Sequence, residues 1–119
     1  MTALQMKVAE ATACVDAARL IARNGCKQAE AIATRREEPD LMTKATWRRD
    51  GAIAAPRCSR AMDINFKSAG ATGLYDDHQL QRSFRDLTAA NQHISMMWDA
   101  QATTYGRVAL GLPSDNPTL

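Results

Sequence analysis

Alanine is what most restricts the folds open to this chain: 22 of its 119 residues are alanine, against 6 glycines and 4 prolines. Alanine has the best intrinsic helix propensity and glycine and proline the worst, so an all-α domain is expected. Aromatic residues make up only 5% of the chain, so its core is thin in large side chains and close packing has to come through alanine. The length has room for one domain and not two, and residues 1–119 are read as a single unit. With 45% apolar and 24% charged residues, the chain lies far from the composition of disordered chains.

Fifteen basic side chains against thirteen acidic ones leave a formal charge of +2. That speaks against a nucleic-acid partner, whose binding rests on neutralising many phosphates. The densest basic points, Arg35-Arg36 and Arg48-Arg49, read as solvated helix faces. Cys14, Cys26 and Cys58 are odd in number, far apart and without metal-ligand spacing, so neither a disulfide framework nor a metal site is expected. There is no charged leader ahead of an apolar core, and no apolar run nears the roughly 20 residues that span a bilayer. A cytoplasmic protein with no membrane partner is the expectation.

Leu4, Val8, Ala11, Val15, Ala18 and Ala22 recur in steps of three and four and predict one helical face, with Thr2 able to cap it. Arg23-Asn24-Gly25 looks like a stop, although Cys26 to Ala33 can continue as helix. The charged stretch Arg35 to Asp40, with Pro39, is a linker. A second series, Ala45, Ala52, Ala55, Ser59, Met62, Phe66 and Ala69, ends at Gly70 in a C-cap position. Pro56 interrupts it, and the lost backbone hydrogen bond predicts a kink or break near Ala52 to Ala55.

Gly70-Ala71-Thr72-Gly73 is the most turn-like stretch, and Asp76 or Asp77 then offers a cap for a third helix. Leu80, Phe84, Leu87, Asn91, Ile94, Trp98, Gln101 and Tyr105 follow alternating steps of four and three, which predicts one seam about seven turns long. Asn91 and Gln101 on that seam, if buried, must hydrogen-bond across to another helix. The tail from Gly111 to Leu119, with two prolines, reads as an irregular extension lying over the surface or onto a neighbour.

Beside the seam, Arg82, Asp86, Ala89, Ala90, His93 and Met97 share a second face. A histidine there can accept or return a proton near neutral pH, whereas the blander reading is a hydrogen-bonded histidine of no catalytic consequence. His78 reads as a solvated residue near the cap. Free backbone N–H groups in the glycine turn, ahead of a helix, make a place for a phosphate or an electron-rich ring edge, or the turn is a plain loop.

The run Ser68-Ala-Gly-Ala-Thr-Gly-Leu-Tyr-Asp-Asp-His-Gln-Leu-Gln-Arg-Ser-Phe-Arg-Asp86 carries a family likeness. With Ala89-Ala90-Asn91-Gln92-His93, Tyr105-Gly106-Arg107 and Leu110-Gly111, it resembles the C-terminal helical domain of flavin-dependent monooxygenases of the acyl-CoA dehydrogenase fold. The likeness is good from about Leu41 onward and loose over the first helix. It implies an up-down four-helix-bundle-like domain, all-α, preceded in the family by a helical and a β domain absent from these residues. It also implies reduced flavin (FMN or FAD) supplied by a flavin reductase, with dioxygen forming a flavin hydroperoxide that hydroxylates an aromatic, phenolic substrate. A homo-oligomer, usually a tetramer, goes with that assembly.

By position, His93 matches the family histidine that faces flavin and substrate, as a base on the phenol or as a group steadying the oxygenated flavin. Gly70, Ala71, Thr72 and Gly73 match the loop that approaches flavin, commonly from a neighbouring subunit. Arg85 and Asp86 match a string that ties helices together. A true acyl-CoA dehydrogenase needs a glutamate base, but the last glutamate here is Glu38, so the monooxygenase branch is preferred to a dehydrogenase-type oxidoreductase domain. A non-catalytic helical oligomerisation domain is the other alternative. Most of the flavin and substrate pocket would lie outside these residues, so the isolated chain is not expected to turn over.

Overall fold

The computed structural model describes Thr2 to Leu119 and is all-α. Helix α1 covers Thr2–Thr34, α2 Leu41–Ser68, α3 Gln79–Ala90 and α4 Trp98–Ala109, with 3-10 turns at Gly70–Leu74 and Ile94–Met96. Four helices packed together match the expected fold class, and alanine makes the core: Ala11, Ala18, Ala45, Ala52, Ala55 and Ala61 are buried, with Ile64 the one larger buried hydrophobic among the described residues.

Helices α1 and α2 form an antiparallel hairpin. The linker turns at Arg36, whose φ of 55° is left-handed, and Asp40 caps α2 by accepting from the Thr43 N–H at 2.7 Å. Ala11, Ala61 and Ile64 pack together with Cys14 against them, and Arg60 pairs with Glu10 at 2.7 Å, which keys the register of the hairpin. Thr2 does not cap α1 as expected but is already its first helical residue.

Two expectations for α1 change. The helix does not stop at Arg23-Asn24-Gly25 but runs on to Thr34. Gly25 costs helix propensity, yet it lies against Trp47, whose Nε1 donates to Gln28 Oε1 at 3.0 Å, so packing on α2 holds the helix there. Of the expected face, Ala11 and Ala18 are buried, while Leu4 and Val8 are 55% and 59% exposed. The reason is that α1 touches α2 alone among the helices, so only a narrow stripe of it is covered.

Helix α2 is the axis of the molecule, with α1 on one side and α3 and α4 on the other. It runs through Pro56 without a break, contrary to one arm of the expectation. Pro56 is exposed, and carbonyls beside it receive side-chain donors: Arg57 Nη1 reaches the Ile53 oxygen at 3.0 Å and Asn91 Nδ2 the Ala55 oxygen at 3.4 Å. The proline removes the ladder donor to the Ala52 carbonyl, one turn earlier, which these side chains do not replace.

The seven-turn third helix is instead two helices, α3 and α4, separated at Asn91 to Met97. No glycine or proline marks this break. Asn91, half-buried, turns its amide onto α2, donating to Ser59 Oγ at 2.6 Å, so the expected cross-helix bond is made. Gln101, 2% exposed, donates instead to the Ile94 carbonyl within the break at 3.0 Å, and its Oε1 has no partner among the described residues. Both halves still pack on α2: Phe84 of α3 stacks on Phe66 at 4.7 Å, and Arg49 of α2 lies 4.3 Å from the Tyr105 ring of α4. Thus Arg48-Arg49 is no solvated face. Arg49 pairs with Asp50 at 2.7 Å, and Arg48 donates to the Thr118 carbonyl of the tail. The tail lies back on the surface as expected, tied also by Arg107 to the Pro113 carbonyl at 2.8 Å and by Asn116 to the buried Thr104 at 3.3 Å.

Two tests follow from these local details. Gly51 sits in mid-helix with nothing within 4 Å of where a Cβ would stand, whereas Gly70 holds φ +65°. Gly51→Ala is expected to raise unfolding free energy by roughly 0.5–1 kcal/mol, and Gly70→Ala to lower it by roughly 1–2 kcal/mol, measured by urea denaturation. The Thr43 side chain, and with it the Thr43 N–H, holds the Asp40 carboxyl below the ordinary carboxylate range. A lowered value stabilises the fold above that range and the benefit disappears as pH falls through the lowered value. Melting temperature against pH should therefore drop less steeply on the acid side in Asp40→Asn than in the parent chain.

Candidate active site at the glycine corner and the helix break

The corner between α2 and α3 is built from two glycines that are needed for different reasons. Gly70, at φ +65°, supplies the left-handed turn after the Ala69 cap, and the space where its Cβ would stand is open. Gly73 is buried, and a Cβ there would come within 3.1 Å of the Ala69 Cβ. Thr72 Oγ1 donates to the Ala69 carbonyl at 2.8 Å, which braces the loop from inside. Ala71 and Thr72 are exposed, followed by Leu74 and Tyr75, at 65% and 67% exposure. The corner is therefore an exposed turn flanked by exposed apolar and aromatic side chains.

Neither Asp76 nor Asp77 caps α3. His78 does, accepting the Leu80 N–H on Nδ1 at 3.1 Å. The helix starts one residue later than the aspartates allow, and the imidazole takes the place of the carboxylate.

His93 is exposed and lies in the break rather than on a helical face. It begins the 3-10 turn Ile94–Met96: its Nδ1 accepts the Ser95 N–H at 3.2 Å and stands 2.7 Å from Ser95 Oγ. The expected alignment with Arg82, Asp86, Ala89, Ala90 and Met97 is lost, because the chain leaves helical geometry after Ala90. Arg82 and Asp86 do meet, at 3.9 Å, but both are strongly exposed and lie on the same helix. With Arg85 also exposed, the tie between helices falls to Asn91 and Phe84 instead.

The two parts of the expected site stand at different levels of α2. The corner follows the end of α2 at Ser68, while Asn91, two residues before His93, sits opposite Ala55 and Ser59. That separation is about ten residues, or roughly 15 Å along the helix. The chain thus does not bring His93 against its own corner.

Beside the break, a groove of about 560 Å³ runs between the start of α2 and the tail, lined by Lys44, Trp47, Arg48, Ser95, Met96 and Thr118 among others. Ser95 is a residue that periodicity does not reveal. The signal available in the sequence is the His-x-Ser spacing, which suits a ring nitrogen accepting from the residue two positions on. Among the described residues no cluster of three or more potential metal ligands occurs, and no helix is long and apolar enough to cross a membrane.

Residues 1–98 match the family model described as acyl-CoA dehydrogenase, C-terminal domain. The match takes in α1, which the sequence alone resembles loosely. The chain is 33% identical over 114 residues to the oxygenase component of p-hydroxyphenylacetate 3-hydroxylase from Acinetobacter baumannii, covering 96% of this chain and 27% of that protein. It is 35% identical over 113 residues to the oxygenase component of an FADH(2)-dependent resorcinol hydroxylase from a Rhizobium species, covering 92% of this chain and 28% of that one. The crystal structure of 3-HSA hydroxylase from Rhodococcus sp. RHA1 superimposes with a TM-score of 0.92 at 28% identity, over all of this chain and 31% of that one. The chain therefore spans under a third of the length of the relatives it matches. An alanine-cored set of four helices with a glycine corner, matched in sequence and in shape, places this chain in the acyl-CoA dehydrogenase C-terminal domain family.

Proposed function

We propose that this chain is the C-terminal helical part of an oxygenase that hydroxylates an aromatic, phenolic small molecule with dioxygen and reduced flavin, FMN or FAD, delivered by a flavin reductase. The observation that carries the reading is similarity along nearly the whole chain to proteins named as hydroxylase oxygenase components, one of them FADH(2)-dependent. The absence of any glutamate beyond Glu38 favours it over proton abstraction by a dehydrogenase. Bound flavin supplies the oxygen-activating chemistry. The chain's own share is to present backbone at Gly70, Ala71, Thr72 and Gly73 to one edge of the flavin, and the His93 imidazole to the ligands.

The separation of corner and histidine along α2 supports a pocket shared between copies, with His93 from one subunit and the corner from another. Exposed apolar residues on α1, among them Leu4, Met6, Val8 and Leu20, support the same arrangement. A homo-oligomer follows, the family tetramer being the expected form. Domains outside these residues complete the pocket, so the isolated chain binds no flavin stoichiometrically.

In the longer polypeptide that contains this segment, His93→Ala is expected to lower hydroxylation by about 10²-fold or more, since one positioned proton-handling or hydrogen-bonding group is worth that much. An unchanged rate removes His93 from the chemistry. Light scattering of the 119-residue chain is expected to give a multiple of its 13.0 kDa mass. Val8→Glu combined with Leu20→Glu should shift that mass towards the monomer, and a parent chain that is already monomeric would count against the shared pocket.

A further inference from the structure

We infer that Ser95 is the positioning residue of His93, holding the neutral ring with its proton on Nε2, so that His93 serves its ligand as a hydrogen-bond donor and not as a base. The inference rests on the reading above that His93 faces the ligands. It turns on a simple property of imidazole: the neutral ring has one protonated nitrogen and one bare one, and a nitrogen that accepts an N–H must be the bare one.

Both histidines of the chain use Nδ1 as a helix cap, but they are held differently. His78 Nδ1 accepts a single backbone N–H, from Leu80 at 3.1 Å. His93 Nδ1 accepts the Ser95 N–H at 3.2 Å and also has Ser95 Oγ at 2.7 Å. With Nδ1 bare, the Ser95 hydroxyl donates to it as well, so one residue occupies the same nitrogen twice. The exposed ring then has Nε2 as its free nitrogen, and Nε2 carries the hydrogen.

The consequence separates the two roles that the family likeness allows. To take a proton from a phenol at Nε2, the ring would first have to carry its hydrogen on Nδ1, which breaks the Ser95 N–H bond and uncaps the 3-10 turn Ile94–Met96. To donate from Nε2 requires no rearrangement. The arrangement at rest is thus a fixed donor aimed at an acceptor oxygen, such as the oxygen of a phenolic substrate.

The test is the tautomer itself, read by long-range proton–nitrogen correlation NMR of the ¹⁵N-labelled chain at alkaline pH, where imidazole is neutral. The expected spectrum has His93 protonated at Nε2 and bare at Nδ1. Ser95→Ala keeps the backbone N–H but loses the shorter of the two contacts on Nδ1, so a minor Nδ1-protonated population of His93 should appear, Ser95→Thr should abolish it, and His78 should not move in either variant. His93 protonated at Nδ1 in the parent chain, or a tautomer indifferent to Ser95→Ala, overturns the assignment. A held ring together with a hydroxylation rate indifferent to His93→Ala would instead sink the catalytic reading and leave the Ser95 clamp standing.

Discussion

Everything in this structure is arranged around the ability of α2 to be approached closely from two sides. Its buried positions are Ala45, Ala52, Ala55, Ala61 and Ile64, and small side chains let neighbouring backbones come near enough for dispersion to act over long stretches. The α1 side is keyed by Ala61 and Ile64 against Ala11, and by Trp47 in the gap left by Gly25. The other side takes α3 and α4. With so little bulk in the core, specificity comes from the few large or polar groups that fit a single register: the Phe66–Phe84 stack, the Arg49–Tyr105 contact and the Asn91 amide on Ser59.

The break after α3 shows how side chains can end a helix that has neither glycine nor proline to stop it. Asn91 is turned to α2, and His93 and Ser95 bond each other locally, so backbone groups that would continue the ladder are served in another way. Gln101 reinforces the result by donating to the Ile94 carbonyl. A histidine in regular helix would be one more side chain on a face; in the break it is a capped, oriented and exposed ring. Pro56 is the converse case, a strong breaker carried with its ring exposed within an intact helix that packs on α1, α3 and α4.

Much of the candidate site was legible as residues and little of it as geometry. Gly70 and Gly73 declare a corner through the rarity of glycine elsewhere in the chain, and the corner is where they stand. His93 is singled out by being one of two histidines beside small alanines, yet its setting was misplaced, because a 3.6-residue period extends through Asn91 to Met97 as smoothly as through real helix. Of the seam residues, Phe84, Asn91 and Gln101 are turned inward, while Ile94 and Trp98 at the break are 62% and 45% exposed, so the period reports a face only where the helix lasts. It carries no information on whether the backbone between them keeps its hydrogen bonds. The cap at His78 escaped for a related reason: an aspartate is the commoner acceptor, and only the local turn decides which side chain reaches the free N–H.

By itself the sequence determined an all-helical chain, a core made of alanine, a linker at Arg35 to Asp40, a corner at Gly70 to Gly73 and a family likeness, because each is written in composition or in residues next to one another. Only the tertiary structure decided that α1 passes Gly25, that α2 passes Pro56, that the third helix is divided, and that Arg48 and Arg49 serve α4 and the tail. Each of those outcomes is a local preference of a few tenths to about 3 kcal/mol set against contacts made by residues distant in the chain. A single strand of sequence shows the preference and not the contact, so the balance is struck only when the helices meet.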